Sequence, residues 1–149
     1  MKKIVSLLLT AIMCLSLVAC SGGKEVKMSK DEMLAIAEEY TAGDIQGDSI
    51  DNIAKAKIKY CNKTIILSGT VRNIHEDYIV LSSSYAANYQ IDVYLPLEEL
   101  VLLKRDQYIT VVGTTTDEII DVSETSAQYT FNYSHYQMPI AYLVKDTSK

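Results

Sequence analysis

The sequence lacks the short motifs that most often carry catalysis. It has no glycine-rich phosphate loop, no nucleophilic serine between glycines in a strand-turn-helix setting, and no helical pair of zinc-binding histidines. The acidic residues are dispersed along the chain, and no cysteine stands in a reactive setting. We therefore expect a protein that is not an enzyme and that holds no cofactor.

Basic residues are scarce in the second half of the chain. Between Val71 and Gln137 the only lysines and arginines are Arg72, Lys104 and Arg105. Proteins that bind single-stranded nucleic acid place such cations between stacking aromatic rings. Because the whole chain also carries a formal charge of −5, we expect no nucleic-acid partner.

The N-terminus has a distinct composition. Lys2 and Lys3 precede an apolar run over residues 4–17, and Ala19 stands directly before Cys20. A membrane-spanning helix needs roughly 20 apolar residues, and this run is shorter. The segment resembles a bacterial lipoprotein signal, which implies cleavage after residue 19 and attachment of acyl chains, palmitate among them, to Cys20.

This resemblance sets the expected domain organisation. Residues 1–19 are a signal peptide and residues 20–28 a flexible tether, so the protein is expected outside the cytoplasm, held on the cell membrane by its N-terminal lipid. Removal of the signal peptide leaves 130 of the 149 residues, which suits one domain. The remaining chain has 12 basic residues (14 less two in the signal) against 19 acidic ones. The mature net charge is about −7. Cys61 is then the only thiol in the domain, and we expect it to be buried.

Helical signals precede the strands. Ser29 and Glu32 form a capping box, and apolar residues then recur at helical spacing up to Gly43. We expect an N-terminal helix within residues 29–47 and a second helix that begins near Asp48 or Ser49.

From residue 64 the apolar period changes to two, which is typical of β-strands. The expected strands cover residues 64–72, 78–82, 90–95, 108–114 and 138–145. Gly69 is the expected site of a β-bulge. A short helix is expected after Pro96, and residues 116–137 are expected to form an inserted hairpin.

This order of elements is that of an OB-fold. The segments 60–65, 68–71 and 103–114 resemble the first and fourth strands of the tRNA anti-like group of OB-fold proteins. The resemblance implies a mostly β fold with N-terminal helices, in which a five-stranded Greek-key barrel has a short helix between its third and fourth strands. We expect this domain to cover residues 48–149.

Tyrosine is the abundant aromatic residue, with 11 tyrosines against one phenylalanine and no tryptophan. A tyrosine ring offers a flat apolar face with a polar tip, which suits protein interfaces and sugar stacking. The OB-fold resemblance puts the ligand face on the second and third strands, so the candidate binding residues are Tyr78, Tyr94, Tyr129, Phe131, Tyr133 and Tyr136. For Tyr129, Phe131 and Tyr133, which belong to the expected inserted hairpin, the alternative is that they form one face of the hairpin packed against the barrel.

Two histidines remain as an alternative site. His75, with Glu76 and Asp77, and His135 fall in predicted loops that a barrel can bring to one end, which allows a two-histidine, one-carboxylate metal site. The alternative is two solvated histidines, and we expect no metal.

The leading functional hypothesis is a non-catalytic, lipid-anchored module that binds another protein of the cell envelope. Recognition of a cell-wall oligosaccharide by exposed tyrosines is the alternative, and nucleic-acid binding is disfavoured by the acidic charge.

Overall fold

A computed structural model describes residues 27–84, 88–125 and 130–146. The expected signal peptide, the lipidation site Cys20 and most of the tether lie outside these residues. The helices are α1 (Lys30–Ile36), α2 (Ala42–Tyr60) and α3 (Leu97–Leu100). The strands are β1 (Glu38–Thr41), β2 (Thr64–Ile74), β3 (Tyr78–Ser82), β4 (Tyr89–Tyr94), β5 (Tyr108–Thr114), β6 (Ile119–Thr125), β7 (Thr130–Met138) and β8 (Ile140–Asp146).

The first helix begins as predicted and ends earlier than predicted. The Ser29 side chain accepts a hydrogen bond from the backbone of Glu32, and the Glu32 carboxylate accepts one in return, so the capping box is present. The expectation of a helix up to Gly43 was wrong, because β1 follows α1 and pairs in parallel with β2. Pairing with the sheet outweighs the helical spacing of the sequence there.

The second helix starts before the expected position near Asp48. A second capping box, between Thr41 and Asp44, begins α2 at Ala42, so the helix runs across the boundary expected at residue 48. Asn52 interrupts α2 with non-helical backbone angles, and its side-chain oxygen accepts a hydrogen bond from the Lys55 amide. This bond caps the second half of the helix.

The described chain is mostly β, with all eight strands in one mixed sheet. The strands follow the order β6-β7-β4-β3-β2-β5-β8, and β1 lies beside β2. The β4–β7 and β1–β2 pairs are parallel, whereas the other pairs are antiparallel. Only Pro139 separates β7 from β8. Met138 pairs with Val93 of β4, and Ile140 pairs with Thr114 of β5.

The strands β3 and β5 match their predicted limits, and β6 pairs with β7 in antiparallel fashion, as predicted for a hairpin. The bulge in β2 lies between Val71 and Asn73, so its expected position at Gly69 was wrong. Gly69 pairs regularly with Ile109. A Cβ at Gly69 would lie 3.0 Å from the Cβ of Ala42, so close packing of α2 explains the glycine there.

Alternate residues of the central strands form the core, together with one face of α2. The largest fully buried side chains are Tyr60, Tyr136, Met33, Ile45, Ile65, Leu67, Ile79, Leu81, Ile91, Ile109, Met138 and Val71. Where β5 meets the β7–β8 junction, a Cβ at Gly113 would lie 2.5 Å from both the Ile140 carbonyl oxygen and the Met138 Sδ. Among the described residues, no helix has the length and apolar character needed to span a bilayer.

Candidate aromatic binding face

Two of the predicted binding tyrosines meet on the outer side of the sheet. Tyr78 and Tyr94 are directly opposed on β3 and β4, and their rings stack with centroids 5.0 Å apart at 29°. Their neighbours Ile79 and Val93 point into the core, so strand alternation directs the two tyrosines outward. Both are half-buried.

His75 extends this pair to a stack of three rings. The turn between β2 and β3 is closed by a hydrogen bond of 2.8 Å from the His75 amide to the Tyr78 carbonyl oxygen. The imidazole of His75 lies over Tyr78, with centroids 4.3 Å apart and an angle of 13° between planes. We call His75, Tyr78 and Tyr94 the aromatic stack. Its outermost ring, His75, is exposed.

A buried polar pair lies on the same face of β4. Asp92 Oδ1 is 2.6 Å from Nδ1 of His135 on β7, and the two residues are 7% and 9% exposed. The ring of Tyr133 meets that of His135 edge-on at 6.4 Å. The Asp92–His135 bond fixes the β4–β7 part of the face beside the aromatic stack.

Electrostatics on this face are acidic. Burial raises the pKa of the Tyr94 hydroxyl, and the charges of Asp92 and Asp77 raise it further. Tyr94 is therefore neutral at neutral pH. Glu76 and Asp77 are exposed in the turn that carries His75. The face offers flat apolar rings beside carboxylates, which suits a ligand with apolar or planar groups and positive charge.

Not all predicted binding residues lie on this face. Tyr136 is fully buried, and its hydroxyl lies 2.7 Å from the Ser49 Oγ, so its assignment to a binding surface was wrong. The register of β7 turns Tyr136 and Met138 inward and Tyr133 and His135 outward. Tyr133 is half-buried. Tyr129 lies outside the described residues, as does the side chain of Phe131.

The histidines do not converge on a metal site. His75 stacks on Tyr78, whereas His135 is bonded to Asp92. Among residues 27–84, 88–125 and 130–146, no three side chains of metal-ligating type lie together. Cys61 is half-buried against the core and unpaired, and burial is the main cause of its raised thiol pKa.

A second group of tyrosines lies where α2 packs on the sheet. The sequence patterns did not predict this group. Tyr60 meets Tyr40 edge-on at 5.0 Å and Tyr136 edge-on at 6.4 Å. Its hydroxyl donates to Asp48 at 2.5 Å, and Asp48 also accepts from Lys59 at 2.8 Å. We call Tyr40, Tyr60 and Tyr136 the tyrosine cluster. Burial raises the pKa values of Tyr60 and Tyr136 to about 12.

Comparisons with known proteins give little guidance. No family model matches the chain. No curated protein shows significant similarity to it. One similar solved structure is described as an aspartyl-tRNA synthetase from Leishmania major Friedlin, with 9% sequence identity, a TM-score of 0.38, and coverage of 93% of this chain and 26% of that one. The chain thus spans about a quarter of that protein, and a similarity this low carries no argument about fold or function.

Proposed function

We propose that five strands of this sheet form an OB-fold of the tRNA anti-like kind. The pairing of β2 with both β3 and β5 supports this, as do the β3–β4 pair and the parallel β4–β7 pair. The fifth strand of the fold is β7 and β8 together, since this segment pairs first with β4 and then with β5. The helix α3 lies between the third and fourth strands of this set, where an OB-fold has its short helix. The strands β1 and β6 are additions.

We further propose that the domain is a non-catalytic binding module, anchored outside the cytoplasm through lipid on Cys20, which binds another protein of the cell envelope. The aromatic stack carries this proposal. Its rings lie outside the core, on the strands where OB-folds bind their ligands. Tyrosines often dominate interface energies, because they bury a large area at low cost in side-chain entropy.

The negative charge of the chain limits the kinds of partner surface that it can bind. Glu76, Asp77 and the mature net charge of about −7 favour a partner surface with basic and planar groups. The basic side chain of β2, Arg72, pairs with Asp106 at 3.1 Å. Arg72 is the only lysine or arginine in residues 64–103, so the strands that carry the aromatic stack are poor in cations, which disfavours nucleic acid as a ligand.

The test is co-purification from solubilised membranes of the native cell, using the full chain. A partner retained by the unmodified protein should be lost on substitution of Tyr78→Ala or Tyr94→Ala, with at least about a tenfold weaker affinity for the purified partner. Tyr108→Ala removes an exposed tyrosine of β5 and is the matched control. A partner retained equally by all variants, or no partner at all, contradicts the proposal. Mass spectrometry of the mature N-terminus tests the anchor separately.

Cell-wall oligosaccharide binding is the second candidate. The exposed imidazole of His75, held nearly parallel to Tyr78 at the end of the stack, gives a flat surface on which a sugar ring can stack. Titration with wall fragments, followed by tyrosine fluorescence, separates the two candidates. A response abolished by Tyr78→Ala favours the sugar, whereas a flat response to all fragments removes it.

A further inference from the structure

Three aliphatic side chains lie exposed around α3, on a different element from the aromatic stack. Leu97 is 65% exposed, and Val101 and Leu102 are each 68% exposed. Leu100 and Leu103 of the same segment are buried, so they hold it against the core. We call Leu97, Val101 and Leu102 the aliphatic patch. Exposed aliphatic residues grouped in this way mark contact surfaces more often than isolated ones do.

Basic residues border the aliphatic patch. Lys104 and Arg105 follow the buried Leu103 and are exposed, with Glu98 and Asp106 as the exposed acidic residues on either side. This is the one place between Val71 and Gln137 where two cations stand together. Aliphatic side chains next to lysine and arginine are typical of segments that lie in the headgroup layer of a bilayer.

The aliphatic patch lies next to the point where the expected tether enters the domain. The Leu143 carbonyl oxygen accepts a hydrogen bond of 2.5 Å from Lys30 Nζ of α1. The Leu143 amide donates one of 2.6 Å to Glu99 Oε2 of α3. One residue of β8 thus joins the first helix of the domain to the helix that carries the patch.

The length of the preceding chain keeps this region near the membrane. Seven residues, from Cys20 to Val26, precede the first described residue, Lys27. Fully extended, they span at most about 25 Å. A lipid on Cys20 would therefore hold α1, and with it α3, close to the bilayer surface.

We propose that the aliphatic patch docks on the anionic phospholipid surface of the membrane that carries the anchor, with Leu97, Val101 and Leu102 entering the headgroup layer and Lys104 and Arg105 meeting lipid phosphates. The inference rests on the lipid anchor of the proposed function. Docking fixes the orientation of the domain on the membrane.

The absence of tryptophan gives a direct test, because one introduced tryptophan is the only one in the protein. Leu102→Trp places this probe in the patch. Ile58→Trp places it on α2, where the native side chain is 78% exposed, and is the matched control. The lipidated full chain carrying either variant is reconstituted into vesicles of phosphatidylglycerol and phosphatidylcholine with brominated acyl chains. The tryptophan at position 102 should be quenched about threefold more than that at position 58, because docked side chains reach about 5–10 Å into the interface.

Each other outcome contradicts the docking. Equal quenching at both positions, with acyl chains found on Cys20 by mass spectrometry, overturns the orientation and leaves the anchor intact. No acyl chains and no quenching remove anchor and docking together. If the tryptophan at position 102 is shielded from solvent even without vesicles, and this shielding increases with protein concentration, the patch is a contact between copies of the chain.

Discussion

The tyrosine cluster and the aromatic stack use the same residue type in opposite ways. In the cluster, Tyr60 and Tyr136 are fully buried, their rings meet edge to face at 88°, and their hydroxyls are bonded to Asp48 and Ser49. In the stack, Tyr78 and Tyr94 are half-buried and lie nearly parallel. Edge-to-face packing interlocks the buried rings, whereas the parallel stack ends in the exposed ring of His75. The comparison gives the cluster a role in stability and leaves the stack as the candidate binding surface.

The largest effect is expected from removal of a ring of the tyrosine cluster. Tyr136→Ala leaves a cavity between α2 and the sheet and should lower the free energy of unfolding by about 3–5 kcal/mol. Tyr136→Phe keeps the ring and loses only the bond to Ser49, so it should cost about 1 kcal/mol. Urea denaturation measures both. An alanine variant as stable as the phenylalanine variant would contradict a structural role for the ring.

Alkaline pH should weaken the tyrosine cluster next. The pKa values of Tyr60 and Tyr136 are raised to about 12 in the folded state, against about 10 when unfolded, so the unfolded chain loses these protons first. Stability is then unaffected below about pH 10 and falls as the pH rises towards 12, by on the order of 2 kcal/mol for each tyrosine. Urea denaturation as a function of pH measures the fall, which Tyr136→Phe should reduce.

The Asp92–His135 pair should have an intermediate effect. Asp92→Ala leaves the buried imidazole of His135 without its acceptor and should cost about 1–2 kcal/mol. A double-mutant cycle with His135→Ala measures the coupling between the two residues. Coupling near zero would show that the bond contributes nothing to the β4–β7 part of the face.

The smallest change in stability is expected in the aromatic stack itself. Tyr78→Ala removes a half-buried ring and its stacking on both His75 and Tyr94, so it should cost on the order of 1 kcal/mol. The same variant should nevertheless lose the binding partner. Circular dichroism and urea denaturation check the fold. A loss of stability as large as that of Tyr136→Ala would show that the stack belongs to the core and is not a binding surface.

Local patterns in the sequence predicted much of the sheet, and long-range pairing decided the rest. Alternation around Ile79 and Val93 was enough to place Tyr78 and Tyr94 outside the core. The same alternation separates Tyr136 from Tyr133, because an odd spacing puts them on opposite faces, and this signal was missed. The Asp92–His135 bond joins residues 43 positions apart on two parallel strands, so no local pattern could reveal it.

The N-terminal region shows the limit of helical spacing as a signal. Residues from Met33 to Tyr40 fit one helix, but Glu38–Thr41 gain a full set of partners along β2. The Thr41 and Asp44 capping box was present in the sequence as a start signal for α2. The predicted helix runs across it, because the apolar residues keep helical spacing up to Tyr40.

The junction at Pro139 has a kinetic consequence. Strands β4 and β5 gain their outer neighbours only when residues 130–146, the last part of the described chain, are in place. Until then both strands keep exposed edges, which favour aggregation during synthesis or transport. Joining such distant segments also makes folding slow compared with a protein of local contacts. A chain shortened before β7 should therefore fail to fold, whereas a chain that lacks the segment before α1 should still fold.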